Sequence, residues 1–284
     1  MKNLKDEIDG LTLFRKFAVT DLLFTEYKCL EEASFFKIWS HTNYFVYVLQ
    51  GKKEWQTLQN NYLIHEGEAI FVRKGANIIH KFFEQDFCAL LIFVPDHFIR
   101  NVVLNLKERP AKNGLPDDSV IPIRFNNSIE AYFDSLFSYF YQEQSPPKKL
   151  LEIKFKELIM NLTCHSDNSE ICRYFSHLCY HTLSSIREIM ETNFTYNLSL
   201  HEFARLSGRS LSKFKRDFKA CYQTSPGRWL KTKRLAYGRQ LLATTDKNIN
   251  QVVFECGFEN PSHFITAFKQ EFGFTPLQFK KSVL

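Results

Sequence analysis

Short apolar, β-branched and aromatic runs occupy the chain from residue 12 to about residue 100. The run Tyr44 to Leu49 ends at Gly51. Glu66 and Gly67 open the run Ala69 to Arg73, which closes at Lys74 and Gly75. Ile78 to Phe83 follows, then Cys88 to Val94, closed by Pro95. Short strands punctuated by glycine turns predict an antiparallel sandwich or barrel. Several runs are apolar at consecutive positions, so both faces of those strands are expected to be covered. After Pro122 the period lengthens. Ile129, Tyr132, Phe133, Leu136, Phe137 and Phe140 recur at helical spacing, and Ser145, Pro146 and Pro147 stop that helix. Leu151, Phe155, Leu158, Ile159 and Leu162 form a second stripe. Two such helices need a surface to cover. Their own β-domain is the simpler one, and a dimer interface built partly from them is the alternative.

Residues 166–181 read as a linker between a domain at 1–165 and one at 182–284. In and around this linker lie Cys164, His165, Cys172, His177, Cys179 and His181. No two of these cysteines are two to four residues apart, so the spacing matches no common zinc pattern. Unliganded side chains are expected.

From residue 198 onward the hydrophobic pattern repeats. Leu200 to Gly208 lies over Ile249 to Gly257 with a shift of 49. Phe214, Phe218, Pro226 and Trp229 lie over Phe264, Phe268, Pro276 and Phe279 with a shift of 50. Each copy reads as a short helix, a glycine turn and a longer helix: a helix-turn-helix layout. The copies fall at about 198–222 and 248–272. A linker helix of about 17 residues, near 25 Å long, lies between them within 226–244 and could hold the two second helices about one DNA turn apart. In copy one the buried stripe is Leu211, Phe214 and Phe218. The opposite stripe is Ser212, Lys215, Arg216 and Lys219, flanked by Lys213. In copy two the buried stripe is Phe264, Ala267 and Phe268, opposed by Ser262, His263, Thr266 and Lys269. An apolar stripe backed by a Lys/Arg/Ser stripe suits insertion into a major groove. Copy one is expected to supply most base reading. Copy two is expected to position the protein, meeting phosphate through Ser262 and its helix N-terminus. Lys231, Lys233, Arg234 and Arg239 on the linker helix read mainly as solvated.

Charge sharpens this division. The net charge of +6 over 284 residues conceals a split: residues 181–284 carry 16 Lys/Arg against 8 Asp/Glu, a net of +8, and residues 1–180 a net of −2. The excess charge sits on the duplicated part, as expected for a polyanion partner. At 44% hydrophobic and 24% charged the chain can bury a core. It has no apolar run near the roughly 20 residues that span a bilayer. The polar, acidic start does not resemble a signal peptide. Seven cysteines without a Cys-x-x-Cys pair suit a reducing cytoplasm.

The duplicated part resembles the AraC/XylS family of bacterial transcription regulators. Copy two carries the signature in Ile249, Val252, Val253, Gly257 and Phe258, then His263, Phe264, Phe268, Lys269, Phe272, Gly273, Thr275, Pro276 and Phe279. Copy one and the linker helix match through Pro226, Trp229, Leu230, Arg234, Leu235, Gly238, Leu241 and Leu242. The resemblance covers about 182–281. It implies an all-α domain with two helix-turn-helix units that binds adjacent major grooves of double-stranded promoter DNA, usually as an activator that contacts RNA polymerase. The N-terminal half is similar to the cupin-like β-barrel sensor and dimerisation domains of that family. Its stretch from Gly67 to Gly75 is similar to members that activate type III secretion genes. The expected fold is therefore α+β in two domains: a cupin-like antiparallel β-barrel with appended helices, then an all-α domain.

Trp39, Tyr44, Trp55 and Phe71 are candidates for an aromatic effector pocket, against the plainer reading of β-domain core. The signal is either a small molecule or a regulatory protein. A metal-dependent cupin enzyme is disfavoured because His41, His65 and His80 stand alone, without a His-x-His pair. No nucleophile triad or phosphate-cradling loop is present, so neither catalysis nor a cofactor is expected. A single-strand nucleic-acid binder that uses aromatic stacking is the third class considered.

Overall fold

The structure, a computed structural model, describes residues 1–12, 14–28, 35–81, 86–106, 115–142, 144–164, 166–180 and 185–283. The chain divides into two compact units, Lys2–Thr182 and Leu183–Leu284.

The first unit begins with β1 (Lys2–Asn3), α1 (Leu4–Gly10), β2 (Lys16–Val19), β3 (Leu22–Lys28), β4 (Phe35–Ser40), β5 (Asn43–Gln50) and β6 (Lys52–Gln56). It continues with β7 (Asn61–His65), β8 (Ala69–Val72), β9 (Gly75–Lys81), β10 (Cys88–Val94), α2 (Asp96–Leu104) and β11 (Val120–Pro122). Three helices close it: α3 (Asn127–Tyr141), α4 (Lys148–Thr163) and α5 (Ser169–Tyr180). The strands form a five-stranded sheet, β1-β4-β9-β6-β7, and a six-stranded sheet, β11-β8-β5-β10-β3-β2. Apart from the short parallel pair β1–β4, the ladders are antiparallel.

The six-stranded sheet is the middle of three layers, which explains the strands that read as apolar on both faces. Successive side chains point to opposite faces. In β10, Ala89, Leu91 and Phe93 enter the core between the sheets. Leu90, Ile92 and Val94 enter the core beneath the helices. β5 and β8 divide the same way: Tyr44, Val46, Val48, Ile70 and Val72 face the other sheet, and Phe45, Ala69 and Phe71 face the helices. Among the described residues no strand pairing joins one sheet to the other. The layout of this unit is therefore two facing sheets plus a helical layer.

The helical stripes after Pro122 cover their own sheet. Phe133 of α3 stacks on Tyr47 at 4.3 Å between ring centroids. Phe155 of α4 stacks on Phe24 at 3.8 Å. Full burial of a side chain of this size contributes about 1.5–3 kcal/mol, and each helix buries several: Ile129, Tyr132 and Leu136 beside Phe133 on α3, and Leu151, Leu158, Ile159 and Leu162 beside Phe155 on α4.

Residues 166–181 depart from the linker expectation. A 3-10 turn at Ser166–Asn168 leads into α5, whose Ile171, Tyr174, Phe175 and Leu178 are buried in the helix–sheet core. The spacing i, i+3, i+4, i+7 marks an amphipathic helix. Tyr174 also donates its hydroxyl to Asn43 Oδ1 at 2.9 Å. Asn43 accepts from Lys74 N–H and donates to Asp96, so one buried amide ties α5, β5 and α2 together. Arg100 donates to the Leu178 carbonyl at 2.7 Å. α5 thus belongs to the first unit.

The second unit is all-helical: α6 (Ile186–Asn193), α7 (Leu200–Leu206), α8 (Leu211–Tyr222), α9 (Pro226–Thr244), α10 (Ile249–Glu255), α11 (Pro261–Phe272) and α12 (Pro276–Val283). The sequence repeat extends to the caps. α7 and α10 each open on a capping box, Ser199 with Glu202 and Asn248 with Gln251. α8 and α11 each end in a left-handed residue, Gln223 and Gly273. α9 spans Pro226–Thr244; Ser225 caps it and Pro226 fills its first turn.

Candidate nucleic-acid interface

Each helix-turn-helix is built from its turn glycine outward. Gly208 (φ 66°) and Gly257 (φ 87°) take the left-handed conformation that reverses the chain between the two helices of each motif. Phe214 and Phe218 of α8 are then fully buried, as are Phe264 and Phe268 of α11. Helical periodicity places Ser212, Lys213, Lys215, Arg216 and Lys219 outward, and all five are exposed. On α11, Ser262, His263, Thr266 and Lys269 are likewise exposed. The nine residues selected from the sequence therefore occupy two solvent-facing helix surfaces. Burial of Phe214, Phe218, Phe264 and Phe268 means that these four rings are packing, not stacking platforms.

The α11 N-terminus is less available to phosphate than its sequence suggests. Asn260 Oδ1 accepts from the backbone N–H groups of Ser262 (2.8 Å) and His263 (3.4 Å). The Ser262 hydroxyl, not the amides, is left to meet an anion.

On α9 the cations are divided. Lys231 is exposed. Lys233 pairs with Glu191 at 2.7 Å. Arg239 lies over the Phe272 and Phe279 rings at 5.2 and 5.3 Å. Arg234 is a clamp: its Nε donates to the Phe194 carbonyl (2.6 Å) and its Nη2 to that of Tyr196 (2.8 Å). Two backbone acceptors ahead of α7 are thereby tied to the linker helix. Gly238 lets α9 approach α11, since a Cβ there would sit 3.0 Å from the Phe264 ring.

Two residues that pattern reading passed over belong to this surface. Arg209 follows the turn glycine, and its Nε lies 3.2 Å from Asp217 Oδ2. The same carboxylate lies 3.4 Å from Lys213 Nζ and 3.5 Å from Arg216 Nε. Partial desolvation pushes the Asp217 carboxyl up, but the Arg209 hydrogen bond and the Lys213 and Arg216 charges outweigh it and hold it below the ordinary range. The available signal was the i, i+4 spacing from Lys213.

In the first unit the four aromatic candidates do not form one pocket. Tyr44 and Trp55 lie in the core between the sheets, and burial pushes the Tyr44 phenol up. Phe71 lies on the opposite face of the middle sheet against Phe45, Tyr174 and Phe175. The period of two separates them: in the β5–β8 ladder Phe71 is opposite Phe45, and Tyr44 is opposite Val72. Trp39 is 3% exposed on β4. A cleft of 780 Å³ lies elsewhere on this unit, lined in part by Tyr47, Leu63, Glu68, Arg124, Glu130 and Asp134.

Among the described residues no three His, Cys, Asp or Glu side chains are placed to hold a metal ion. His165 and His181 lie outside the described residues. Cys172 donates to the Leu162 carbonyl and Cys179 to that of Phe175. No described helix is long and apolar enough to cross a membrane.

Comparison with known proteins gives two family matches. Residues 43–174 match the ExsA N-terminal regulatory domain, a span that includes the first half of α5, and residues 203–282 match a helix-turn-helix domain. The thermoregulatory protein LcrF of Yersinia pestis is 26% identical over 246 residues, covering 86% of this chain and 91% of LcrF. The virulence regulon transcriptional activator VirF of Yersinia enterocolitica is 27% identical over 250 residues, covering 86% of this chain and 91% of VirF. The transcriptional regulator ExsA of Pseudomonas aeruginosa is 25% identical over 235 residues, covering 81% of this chain and 84% of ExsA.

Proposed function

This chain belongs to the AraC/XylS family of transcription regulators, and from that premise we propose that it is a sequence-specific activator that reads duplex promoter DNA. α8 enters one major groove and contacts bases through Ser212, Lys215 and Arg216, with Lys213 and Lys219 on the flanking phosphates. α11 enters the next groove and positions the protein through Ser262, His263, Thr266 and Lys269. α9, at 19 residues and about 28 Å, is a spacer of the right order for one DNA turn of roughly 34 Å.

The observation that carries this reading is the duplicated motif in a unit of net charge +8, with all nine selected side chains exposed on α8 and α11. The first unit serves as the cupin-like sensor and dimerisation module. Its two facing sheets support the first role. An outward apolar stripe on α4 (Leu150, Ile153, Met160), left over after its inner stripe is buried, supports a homodimer. The signal that acts on this unit is a regulatory protein or a small molecule, and the response is altered promoter occupancy or contact with RNA polymerase. By likeness to VirF and ExsA, virulence genes of the type III secretion class are the proposed targets.

Genome-wide mapping of DNA bound by the chain yields both operator and regulon. On the operator so found, Arg216→Ala should weaken binding by about 1–3 kcal/mol and relax the preference at one or two base positions. Wild-type affinity and preference in that variant would remove α8 as the reader. Residues 183–284 alone should still bind, with affinity falling steeply as salt rises.

A further inference from the structure

Among the positions at which the two copies of the motif differ, one pair exchanges charge for apolar packing. In copy two, Phe258 follows the turn glycine and packs edge-on against Phe264, and Ala267 lies on the buried side of α11. Phe258 and Ala267 are buried, 8% and 2% exposed, in the apolar core. The register that aligns Phe214 with Phe264 puts Asp217 over Ala267, and Arg209 follows its own turn glycine as Phe258 does. Copy one therefore holds an ion pair at the positions where copy two holds two apolar residues of one buried core. Copy two folds into the same cap-turn-cap geometry without any charge there, so the motif can close on an apolar pair as well as on this ion pair.

Nor is Asp217 placed for helix stability. Aspartate is a poor residue for a helix interior, and a lysine four residues before a carboxylate is the weaker order for such a pair. The carboxylate is anchored from behind by Arg209, which is 11% exposed and also donates to the Ser207 carbonyl at 2.9 Å. In front of it stand Lys213 and Arg216, 47% and 75% exposed. One fixed negative charge thus sits at the root of two cations on the reading face.

Resting on the proposed reading of duplex DNA by α8, we propose that Asp217 is a specificity-determining residue. Its carboxylate competes with DNA phosphates for Lys213 and Arg216. A backbone phosphate offers those side chains little more than Asp217 already does. A base edge that accepts two hydrogen bonds from Arg216 offers more. The carboxylate therefore subtracts from affinity for any duplex and subtracts least for the right one. It also orients the Arg216 guanidinium before DNA arrives.

The test compares two duplexes of about 30 base pairs, the usual scale for a two-groove site. One is selected from a random pool by the wild-type full-length chain, and the other is a scramble of the same composition. Asp217→Asn keeps the shape and an acceptor for Arg209 but removes the charge. It should tighten binding to the scrambled duplex about threefold to tenfold and steepen the salt slope by up to about one unit. The selected-to-scrambled ratio should fall by at least about threefold, since the selected duplex gains less. The double variant Arg209→Phe with Asp217→Ala reproduces the copy-two pair and should show the same loss of discrimination with its thermal transition intact. An unchanged ratio and salt slope in either folded variant would overturn the proposal. A wild-type chain that shows no preference for the duplex it selected would instead remove the DNA reading, and the proposal with it.

Discussion

At Gly257 the backbone φ of +87° and the Thr195 carbonyl, 2.5 Å from where a Cβ would sit, admit no side chain. Gly257→Ala is expected to destabilise the second unit by at least about 1–3 kcal/mol, read as a lowered melting temperature of residues 183–284. Its neighbour Cys256 is fully buried, and desolvation pushes its thiol up to about 12. The folded chain keeps a proton that the unfolded chain releases near its ordinary pKa of 9.0. The sign follows from linkage: this contribution to stability is complete below about pH 9 and is lost as pH rises through about 12. Burial, with Glu26 beside it, pushes Cys88 to about 12 as well. Iodoacetamide at neutral pH should therefore label the exposed Cys164 and Cys221 and spare Cys88 and Cys256, a pattern that peptide mass spectrometry resolves. Labelling of Cys256 without unfolding would contradict its placement. The residue scale was only partly legible in the sequence. The turn glycines announced themselves by repetition. The Arg234 clamp and the Arg209–Asp217 pair did not, because their partners are brought close by folding.

At the scale of elements, α4 has two apolar faces, one buried and one exposed. Leu151, Phe155, Leu158, Ile159 and Leu162 are buried in the core of the first unit. Leu150, Ile153 and Met160 are 37%, 51% and 44% exposed on the outer side. Leu158→Glu should unfold the first unit, since a charge buried without a partner costs several kcal/mol. Ile153→Glu with Met160→Glu should leave the melting temperature unchanged and shift the full-length chain from dimer to monomer in sedimentation. A wild-type chain that is monomeric at all accessible concentrations would remove the dimer reading. The inner stripe is a matter of period and was legible at once. The outer one has the spacing of a helix seam, and apolar residues alone do not say which face meets the sheet. α5 shows the converse: its stripe is just as regular, and what makes it part of the first unit is its contact with α2 and the middle sheet.

For the whole molecule, the boundary between the two units governs how the chain can be divided. A chain ending at residue 165 lacks α5 and leaves the helix–sheet core open at Phe71, the ring that Tyr174 and Phe175 cover. It should be insoluble or fail to show a cooperative thermal transition, whereas residues 2–182 should show one. Equal stability of the two pieces would mean that α5 is dispensable. Taken together, the sequence by itself determined what depends on period and repetition: strands in the first half, a duplicated helix-turn-helix in the second, the apolar and basic faces of α8, and the concentration of positive charge. These follow from local geometry, 3.6 residues per turn or two per pleat, which each segment carries on its own. The tertiary structure alone decided what depends on which surfaces meet. It made the six-stranded sheet a middle layer and split Tyr44 from Phe71 across it. It drew α5 into the first unit and tied Arg234 to the carbonyls of Phe194 and Tyr196. Those outcomes rest on contacts between residues far apart in the chain, or on the rotation of one face toward a neighbour, which no local period encodes.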